Sequence, residues 1–345
     1  MRKFIAICVL IISAFQLFAA PVNVIFDTDM GNDCDDVMAQ LMLLSYAKEG
    51  KADILCMASN KDNALSPKFL RLICDFYGFK NVPIFAVNNG VAKFDGSFLR
   101  ATLEAKNADS SARFPLDNPD ERFADSVKGL RRVLADAEDS SVVYISVGFF
   151  TNLARLAASQ PDEISPLSGR ELLAKKVRFV SAMAGGFAAD HFGGRRDWVF
   201  PEYNVKADLP SARAFLENPP CDVVLSPFEV GLYLRFPYYS VMRDFHNAPD
   251  NPASFACDAY VKRLFLASKR TSELDRYMWD LTSVLYAFEP AFFRLSPRGN
   301  VELASNGTTV FVPSKGGKIR FLILPKGGEK RIVDRCVELC KLQPR

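Results

Sequence analysis

The sequence predicts an α/β protein with a mainly parallel open sheet, helices on both faces and a small C-terminal β-hairpin. Short runs rich in Val, Ile, Leu and Phe alternate with segments of helical periodicity along most of the 345 residues. Such alternation is typical of parallel sheets that are covered on both faces. Residues 299–324 instead alternate polar with apolar side chains around Asn306-Gly307, a turn pair favoured by hairpins. The apolar content of 49% is enough for a sizeable core.

The individual elements follow from local patterns. Apolar runs predict strands at residues 22–26, 52–58, 82–87, 142–147, 177–183 and 222–225. Helical periodicity predicts helices at residues 37–49, 67–77, 125–137, 208–217, 253–267, 280–288 and 329–342, with a further helix from Leu153. Residues 88–119 carry few regular signals, and we expect a long loop there. No linker rich in Pro, Gly or Ser divides the chain, so we expect one domain over residues 21–345.

The N-terminal 20 residues have the three parts of a secretory signal peptide. Arg2 and Lys3 precede an apolar stretch over residues 4–18, and two alanines follow for cleavage. The alternative, a membrane anchor, is disfavoured because the stretch is short for a span and contains polar residues. We therefore expect a secreted or periplasmic protein without stable membrane insertion.

The charge argues against a nucleic-acid-binding protein, and the cysteine pattern argues against a disulfide-rich one. The formal net charge of +3 falls to +1 when the two basic residues of the leader are removed, and no cluster of Lys and Arg lies beside aromatic residues. We therefore expect no nucleic acid partner. Of the eight cysteines, Cys8 lies in the leader, and the odd number that remains has no paired spacing. This pattern does not indicate a disulfide framework.

Five aspartates crowd into an acidic segment, residues 27–36, directly after the first predicted strand. The segment reads D-T-D-M-G-N-D-C-D-D. Because Asp and Gly are poor strand formers, we expect the strand to end near Asp27 and the carboxylates to crowd at its carboxyl end. A buried ionised carboxylate is costly unless it is paired or bound to a metal. The next basic residue is Lys48, so the local sequence favours a hard cation as the partner.

Three more unusual loops follow predicted strands. They are the polar loop at residues 59–63, the segment at 148–152 and the glycine pair at 185–186. In parallel sheets, ligands bind at the carboxyl ends of the strands. We therefore expect these loops and the acidic segment to converge on one site.

In this order, the motifs resemble those of the inosine-uridine preferring nucleoside hydrolase family. The acidic segment is similar to the D-x-D-x-G-x-D cluster of the family. The later motifs that resemble the family's are V-G-F-F-T-N-L at residues 147–153, M-A-G-G at 183–186, E-Y-N at 202–204 followed by Asp208, and W-D at 279–280, where the family has His-Asp. The resemblance covers residues 22–324 and implies a nucleoside-hydrolase-like fold.

The resemblance implies calcium-dependent hydrolysis of the N-glycosidic bond of ribonucleosides, which releases nucleobase and ribose for purine or pyrimidine salvage. It also implies a homodimer or a homotetramer. The calcium ligands that it implies are Asp29, Asp36, the backbone carbonyl of Thr151, and Asp280. Asp29 is in addition the implied general base that activates a metal-bound water. The implied substrate-binding residues are Asn60, Asn63, Glu202, Asn204, Trp279 and Asp35, although Asp33 and Asp35 both fit one acidic position of the family motif.

One departure from the family affects the leaving group. Trp279 stands where many members have the histidine proposed as the acid for the departing base. An indole has no proton of useful acidity, so we expect Trp279 to stack on the nucleobase. Protonation of the base is then left to solvent, or to another donor such as His191 or Tyr203.

Two other functions remain open from the sequence alone. A haloacid-dehalogenase-like phosphatase also has Asp-x-Asp after its first strand, but Gly31 stands where that pattern wants Thr or Val, and no catalytic lysine can be placed. An exported nucleoside- or sugar-binding protein without turnover is the non-enzymatic alternative, because the late histidine is missing.

Overall fold

A computed structural model describes residues 20–187, 201–248, 250–268 and 274–345. The strands are β1 (Val22–Thr28), β2 (Ala52–Lys61), β3 (Ile84–Val91), β4 (Ala124–Asp125), β5 (Val142–Ser146), β6 (Val177–Met183), β7 (Val223–Ser226), β8 (Arg235–Phe236), β9 (Arg276–Tyr277), β10 (Arg294–Leu295), β11 (Gly299–Leu303), β12 (Thr309–Pro313) and β13 (Ile319–Ile323). The leader, apart from Ala20, and His191 lie outside the described residues.

The helices alternate with the strands through most of the chain. They are α1 (Asp35–Lys48), α2 (Leu65–Phe76), α3 (Leu99–Leu103), α4 (Ser126–Asp136), α5 (Thr151–Ala158), α6 (Gly169–Lys176), α7 (Tyr203–Ala207), α8 (Leu209–Leu216), α9 (Phe228–Leu232), α10 (Tyr238–Arg243), α11 (Pro252–Ser268), α12 (Trp279–Phe288) and α13 (Glu329–Cys340). A short 3₁₀ helix lies at Pro290–Phe292. Across the described residues, no helix is long and apolar enough to cross a membrane.

Eleven of the described strands form one sheet. Its order is β12-β11-β13-β7-β6-β5-β1-β2-β3-β4, and β10 pairs with β13 beside this path. All neighbours from β13 to β4 are parallel. Strands β11 and β12 form an antiparallel hairpin whose connection contains Asn306-Gly307, with Gly307 at φ +90°. The predicted parallel sheet and C-terminal hairpin are therefore confirmed.

Helices cover both faces of this sheet, as predicted. Side chains of β1 alternate between two cores, with Val24 and Phe26 on one side and Ile25 on the other. The first core is closed by α1, α2, α11, α12 and α13, and the second by α4, α5, α6 and α8. Because β1 lies between β5 and β2, its carboxyl end is buried by neighbours on both sides.

The structure extends one predicted strand and adds helices that the sequence analysis did not predict. Strand β2 continues to Lys61, because Ser59 pairs with Thr28 of β1 and its hydroxyl lies 2.8 Å from that of Ser66. The predicted loop over residues 88–119 contains α3. Helix α6 was missed, although its capping box of Ser168 and Glu171 is a readable start signal.

Candidate active site

A cavity of about 420 Å³ opens where the first, fifth and sixth strands end. Asp29 follows β1, Val147 follows β5, and Met183 is the last residue of β6; all three line the cavity. Its acidic lining residues are Asp29, Asp33, Asp35, Asp36, Glu202 and Asp280. Its larger aromatic and apolar lining residues are Phe94, Tyr203, Phe228, Tyr260, Leu264 and Trp279. The cavity lining therefore combines acidic side chains with aromatic ones, which we call its acidic part and its aromatic part.

Three of these carboxylates form a buried cluster. One oxygen from each of Asp35, Asp36 and Asp280 lies within 4.8 Å of the others. Asp35 and Asp36 begin α1, and Asp280 is the second residue of α12, so two helix N-termini face the cluster with positive partial charge. The Asp280 N–H donates to Asp35 Oδ2 at 3.2 Å, and the Thr28 hydroxyl donates to Asp36 Oδ1.

Burial and mutual repulsion raise the pKa of these acids. The pKa values of Asp35, Asp36 and Asp280 all lie well above the usual range, with burial as the main cause and neighbouring carboxylates adding to it. Burial also raises the pKa of Asp29 to about 6. Oxygen-only donors that are buried and repel each other fit a hard divalent cation, which would hold them ionised.

Asp29 is positioned by a chain of two side chains. The Asn32 amide donates to Asp29 Oδ2 at 2.6 Å, and the ammonium group of Lys61 donates to Asn32 Oδ1. Lys61 is only 1% exposed, and its nitrogen lies 3.9 Å from the ring centroid of Phe94. Burial lowers the pKa of Lys61 to about 8. The buried ammonium group of Lys61 is thus linked to Asp29 through Asn32.

A second cation pairs with Asp33. Arg276 Nη2 lies 2.9 Å from Asp33 Oδ2, and the Tyr260 hydroxyl donates to the same oxygen at 2.6 Å. The acidic segment has no basic residue near it in sequence, but the fold brings Arg276 and Lys61 to it from distant segments. Asp33 is engaged by this pair, whereas Asp35 lies in the carboxylate cluster.

Glu202 and Asn204 lie in the cavity wall beside these acids. Glu202 caps α7 by accepting from the N–H groups of Asn204 at 2.8 Å and Val205 at 3.1 Å. Burial raises the pKa of Glu202 to about 7. The Asn204 amide donates to the Met183 carbonyl at 3.1 Å. These hydrogen bonds fix the orientation of both side chains.

Residues 24–333 match the family model described as inosine-uridine preferring nucleoside hydrolase. The chain belongs to this family. It is therefore a hydrolase that acts on N-glycosidic bonds. No curated protein matches the chain by sequence.

Solved structures of nucleoside hydrolases share the fold at low sequence identity. A plant nucleoside hydrolase, PpNRh1, is 16% identical with a TM-score of 0.69, and the match covers 94% of this chain and 100% of that chain. A purine-preferring ribonucleoside hydrolase from Gardnerella vaginalis is 15% identical with a TM-score of 0.67, over 93% and 100% of the two chains. The type III effector protein XopQ, complexed with adenosine diphosphate ribose, is 14% identical with a TM-score of 0.63, over 94% and 95%.

The two candidate asparagines of this family member have different surroundings. Asn60 is fully buried, its Oδ1 accepts from the Phe149 N–H at 3.1 Å, and its Nδ2 has no hydrogen-bond partner among the described residues. Asn63 donates to Asp95 and accepts from the Leu65 N–H, both within 3.0 Å, at the start of α2. Neither asparagine is among the cavity-lining residues, and the Asn63 amide is used by Lys93 and Asp95 of the segment after β3.

The structure does not bring Thr151 to the cavity wall. Thr151 is the first residue of α5, and its hydroxyl donates to Asp208. The carbonyl of a first-turn residue points along the helix axis toward the N–H four residues on, which turns it away from a ligand. Val147, four residues earlier, lines the cavity with Asp29, and its carbonyl is the available one in this motif.

Trp279 lines the aromatic part of the cavity with its indole N–H already used. Nε1 donates to the Phe228 carbonyl at 3.0 Å, and the two rings stack with centroids 5.5 Å apart. A Cβ on Gly231 would lie 2.2 Å from Trp279 Cδ1, so the glycine leaves room for the indole.

The sequence analysis did not single out five residues of the site: Asn32, Lys61, Val147, Tyr260 and Arg276. Two of them could have been noticed in the sequence. Lys61 directly follows Asn60, and Arg276 lies three positions before Trp279.

Proposed function

We propose that the protein hydrolyses ribonucleosides in a calcium-dependent reaction. The ribose binds at the acidic part of the cavity, and the nucleobase binds at the aromatic part. The observation that carries this proposal is the buried cluster of Asp35, Asp36 and Asp280, in a cavity that Asp29 and several aromatic side chains also line.

The donor set fits calcium. The proposed ligands are the carboxylates of Asp29, Asp36 and Asp280 and the carbonyl of Val147, which replaces the Thr151 carbonyl that the resemblance implied. Calcium takes six to eight oxygen ligands and tolerates irregular geometry, so substrate hydroxyls and water have room in the shell. When bound, the ion supplies positive charge that holds sugar hydroxyls and makes a nearby water more acidic.

Asp29 is the proposed general base. A carboxylate with a pKa of about 6 is ionised at neutral pH and lies close enough to that pH to take a proton from water. Asn32 binds Oδ2 of Asp29, which leaves Oδ1 for the water and fixes the orientation of the carboxylate. The electron pair of the breaking C1′–N bond leaves with the base, and the sugar develops oxocarbenium character.

The carboxylates around the sugar stabilise that positive charge. Asp35 is the proposed partner of a ribose hydroxyl, together with Glu202 and Asn204 in the cavity wall. Asn60 and Asn63 are not among the cavity-lining residues, so they are the weaker substrate candidates. The Asn63 amide already donates to Asp95 at 3.0 Å.

A ribose-release assay tests the proposal. The metal-stripped protein is incubated with inosine, adenosine, uridine and cytidine, each with added calcium or with a chelator, and reducing sugar is measured. We expect ribose from at least one nucleoside with calcium and none with the chelator. Phosphate release from a phosphoester without ribose release would instead identify a phosphatase.

A nucleoside-binding protein without turnover is the second candidate. Trp279 favours it, because this residue stands where the family has an acidic histidine. Its indole N–H already donates to the Phe228 carbonyl. Calorimetric binding of a nucleoside in the presence of calcium, with no ribose released over days, would support it over the hydrolase.

Export and assembly are proposed on sequence grounds. The pattern of residues 1–20 supports a secreted or periplasmic protein, and the family resemblance supports a homodimer or homotetramer. N-terminal sequencing of the exported protein and light scattering of the purified protein test the two statements separately.

A further inference from the structure

We propose that the hydroxyl of Tyr203 is the hydrogen-bond donor to the departing nucleobase. This inference rests on the proposed hydrolysis and assigns within it the leaving-group role that Trp279 cannot fill. Stabilising the charge on a departing nitrogen requires a donor in the aromatic part of the cavity whose proton is not already used.

Most donors that line the described cavity are already engaged. The Trp279 N–H bonds the Phe228 carbonyl at 3.0 Å, and the Tyr260 hydroxyl bonds Asp33 at 2.6 Å. Asn32 donates to Asp29 at 2.6 Å. Redirecting any of these to a base would break a buried hydrogen bond, which costs about 1–3 kcal/mol.

Tyr203 differs from them in having an uncommitted hydroxyl. Its side chain lines the cavity, is 48% exposed, and its hydroxyl makes no hydrogen bond to the described residues. The ring packs against Phe149 with centroids 6.0 Å apart. Its backbone follows directly on Glu202, which caps α7. The residue is therefore held through its backbone and its ring, and it forms part of the cavity wall.

Tyr203 also stays protonated over the whole neutral range. Burial raises its pKa to about 12, and the negative charges of Asp29, Asp36 and Glu202 add to the shift. A neutral phenol beside several carboxylates is a donor rather than an acceptor in this cavity.

The step balances without any further reactant. The C1′–N electron pair moves onto the nitrogen of the base, whose growing charge the Tyr203 O–H stabilises by a hydrogen bond. Water forms the new bond to C1′ and loses a proton to Asp29, which returns it to solvent. Solvent protonates the released base, and Tyr203 ends the cycle unchanged.

Ser97 is the competing donor. Its hydroxyl lines the cavity and likewise has no hydrogen bond to the described residues. Its N–H, however, bonds the Gly31 carbonyl at 2.9 Å, which fixes Ser97 beside the acidic segment, where the sugar is proposed to bind. Tyr203 also lies near Asp29 and Asp36, so the variants Ser97→Ala and Tyr203→Phe are what separate the two donors.

The test compares two substrates on the calcium-loaded protein. Inosine has a poor leaving group, whereas 4-nitrophenyl riboside releases an anion that is stable at neutral pH and needs no hydrogen bond. We expect Tyr203→Phe to lower kcat for inosine by about 100- to 1,000-fold, as for other lost transition-state donors. We expect kcat for 4-nitrophenyl riboside to change by less than about 3-fold. Tyr239→Phe, at a 59% exposed position outside the cavity, is the matched control and should change neither.

Other outcomes would overturn the assignment to Tyr203 or transfer it to another residue. Equal losses on both substrates, or no loss on inosine, would overturn the assignment, and the calcium-induced rise in Tm of Tyr203→Phe reports whether the variant is folded. A selective loss in Ser97→Ala but not in Tyr203→Phe would transfer the role to Ser97. If the wild-type protein cleaves neither riboside, the proposed function fails, and this inference falls with it.

Discussion

The backbone N–H of Asp280 donates to Asp35 Oδ2 at 3.2 Å across 245 residues of sequence. This bond joins the start of α12 to the start of α1 and places the carboxylates of both helices in one cluster. The proposed metal site is therefore completed only when the C-terminal half of the chain packs on the N-terminal half. Loss of the metal and loss of tertiary structure should be linked.

Calcium should stabilise the protein through Asp280. A ligand that binds only the folded state at 100 times its Kd adds about 2.7 kcal/mol to the free energy of unfolding. We expect calcium to raise the Tm of the metal-stripped protein and Asp280→Asn to remove most of that rise. Asp334→Asn, on the surface of α13 with its side chain 60% exposed, is the charge-matched control and should keep the rise. An unchanged rise in Asp280→Asn would remove this residue from the site.

The metal-stripped protein should lose stability as the pH rises through neutrality. Burial raises the pKa of Asp27 from 3.8 to about 7 and of Asp29 from 3.8 to about 6. The folded state therefore holds protons that the unfolded chain has released. The stability from these groups is fully present below 3.8 and is lost as the pH rises through about 6 to 7.

Thermal unfolding measures this directly. With a chelator present, Tm should be higher at pH 5.5 than at pH 7.5. Saturating calcium should narrow or reverse the difference, because metal binding requires deprotonated carboxylates. A chelated protein that is more stable at pH 7.5 would contradict the proposed cause.

Lys61 should set the pH dependence of activity. Its positive charge lowers the pKa of Asp29, and it holds the Asn32 amide that binds this carboxylate. In Lys61→Met the pKa of Asp29 should rise, so the acidic limb of the kcat profile should move to higher pH. We expect kcat at neutral pH to fall by about 10-fold, a part of the roughly 10²–10⁴-fold that a general base contributes.

The matched control for Lys61 is a surface lysine. Lys80 pairs with Asp117, and its side chain is 59% exposed, so Lys80→Met should leave the profile in place. A pH profile of Lys61→Met that coincides with that of the wild type, in a protein with normal Tm, would show that Lys61 only packs.

Trp279 should contribute to binding of the nucleobase. Stacking of a base on an aromatic side chain is worth about 1–3 kcal/mol. Trp279→Ala should therefore raise KM for purine ribosides by about 10-fold, while Trp279→Phe keeps part of the stack. Unchanged purine kinetics in Trp279→Ala would limit the indole to packing against Phe228.

The sequence was sufficient where the signals are local. The strand predicted at residues 177–183 coincides with Val177–Met183, because a continuous apolar run followed by glycines marks both the strand and its end. The acidic segment was readable for the same reason, since its five carboxylates lie within ten residues. Helix α1 begins at Asp35, two residues before the predicted start, because buried acids at a helix N-terminus are favoured there.

The sequence could not predict contacts between residues that are far apart along the chain. Arg276 is 243 residues from Asp33, so no local rule could pair them. The choice between Asp33 and Asp35 depended on that pairing. Thr151 was named for its motif, but it is the first residue of α5 and does not line the cavity, whereas Val147 of the same motif does, a placement that the sequence alone did not indicate.

The most direct test of the central claim is a calcium titration of ribose release from inosine by the metal-stripped protein, with wild type and Asp29→Asn compared. We predict that the wild type gains activity with saturating dependence on calcium. Asp29→Asn, which removes both a proposed calcium ligand and the proposed base, should stay inactive at all calcium concentrations. Ribose release that is unaffected by a chelator, or that persists in Asp29→Asn, would contradict calcium-dependent hydrolysis with Asp29 as the base.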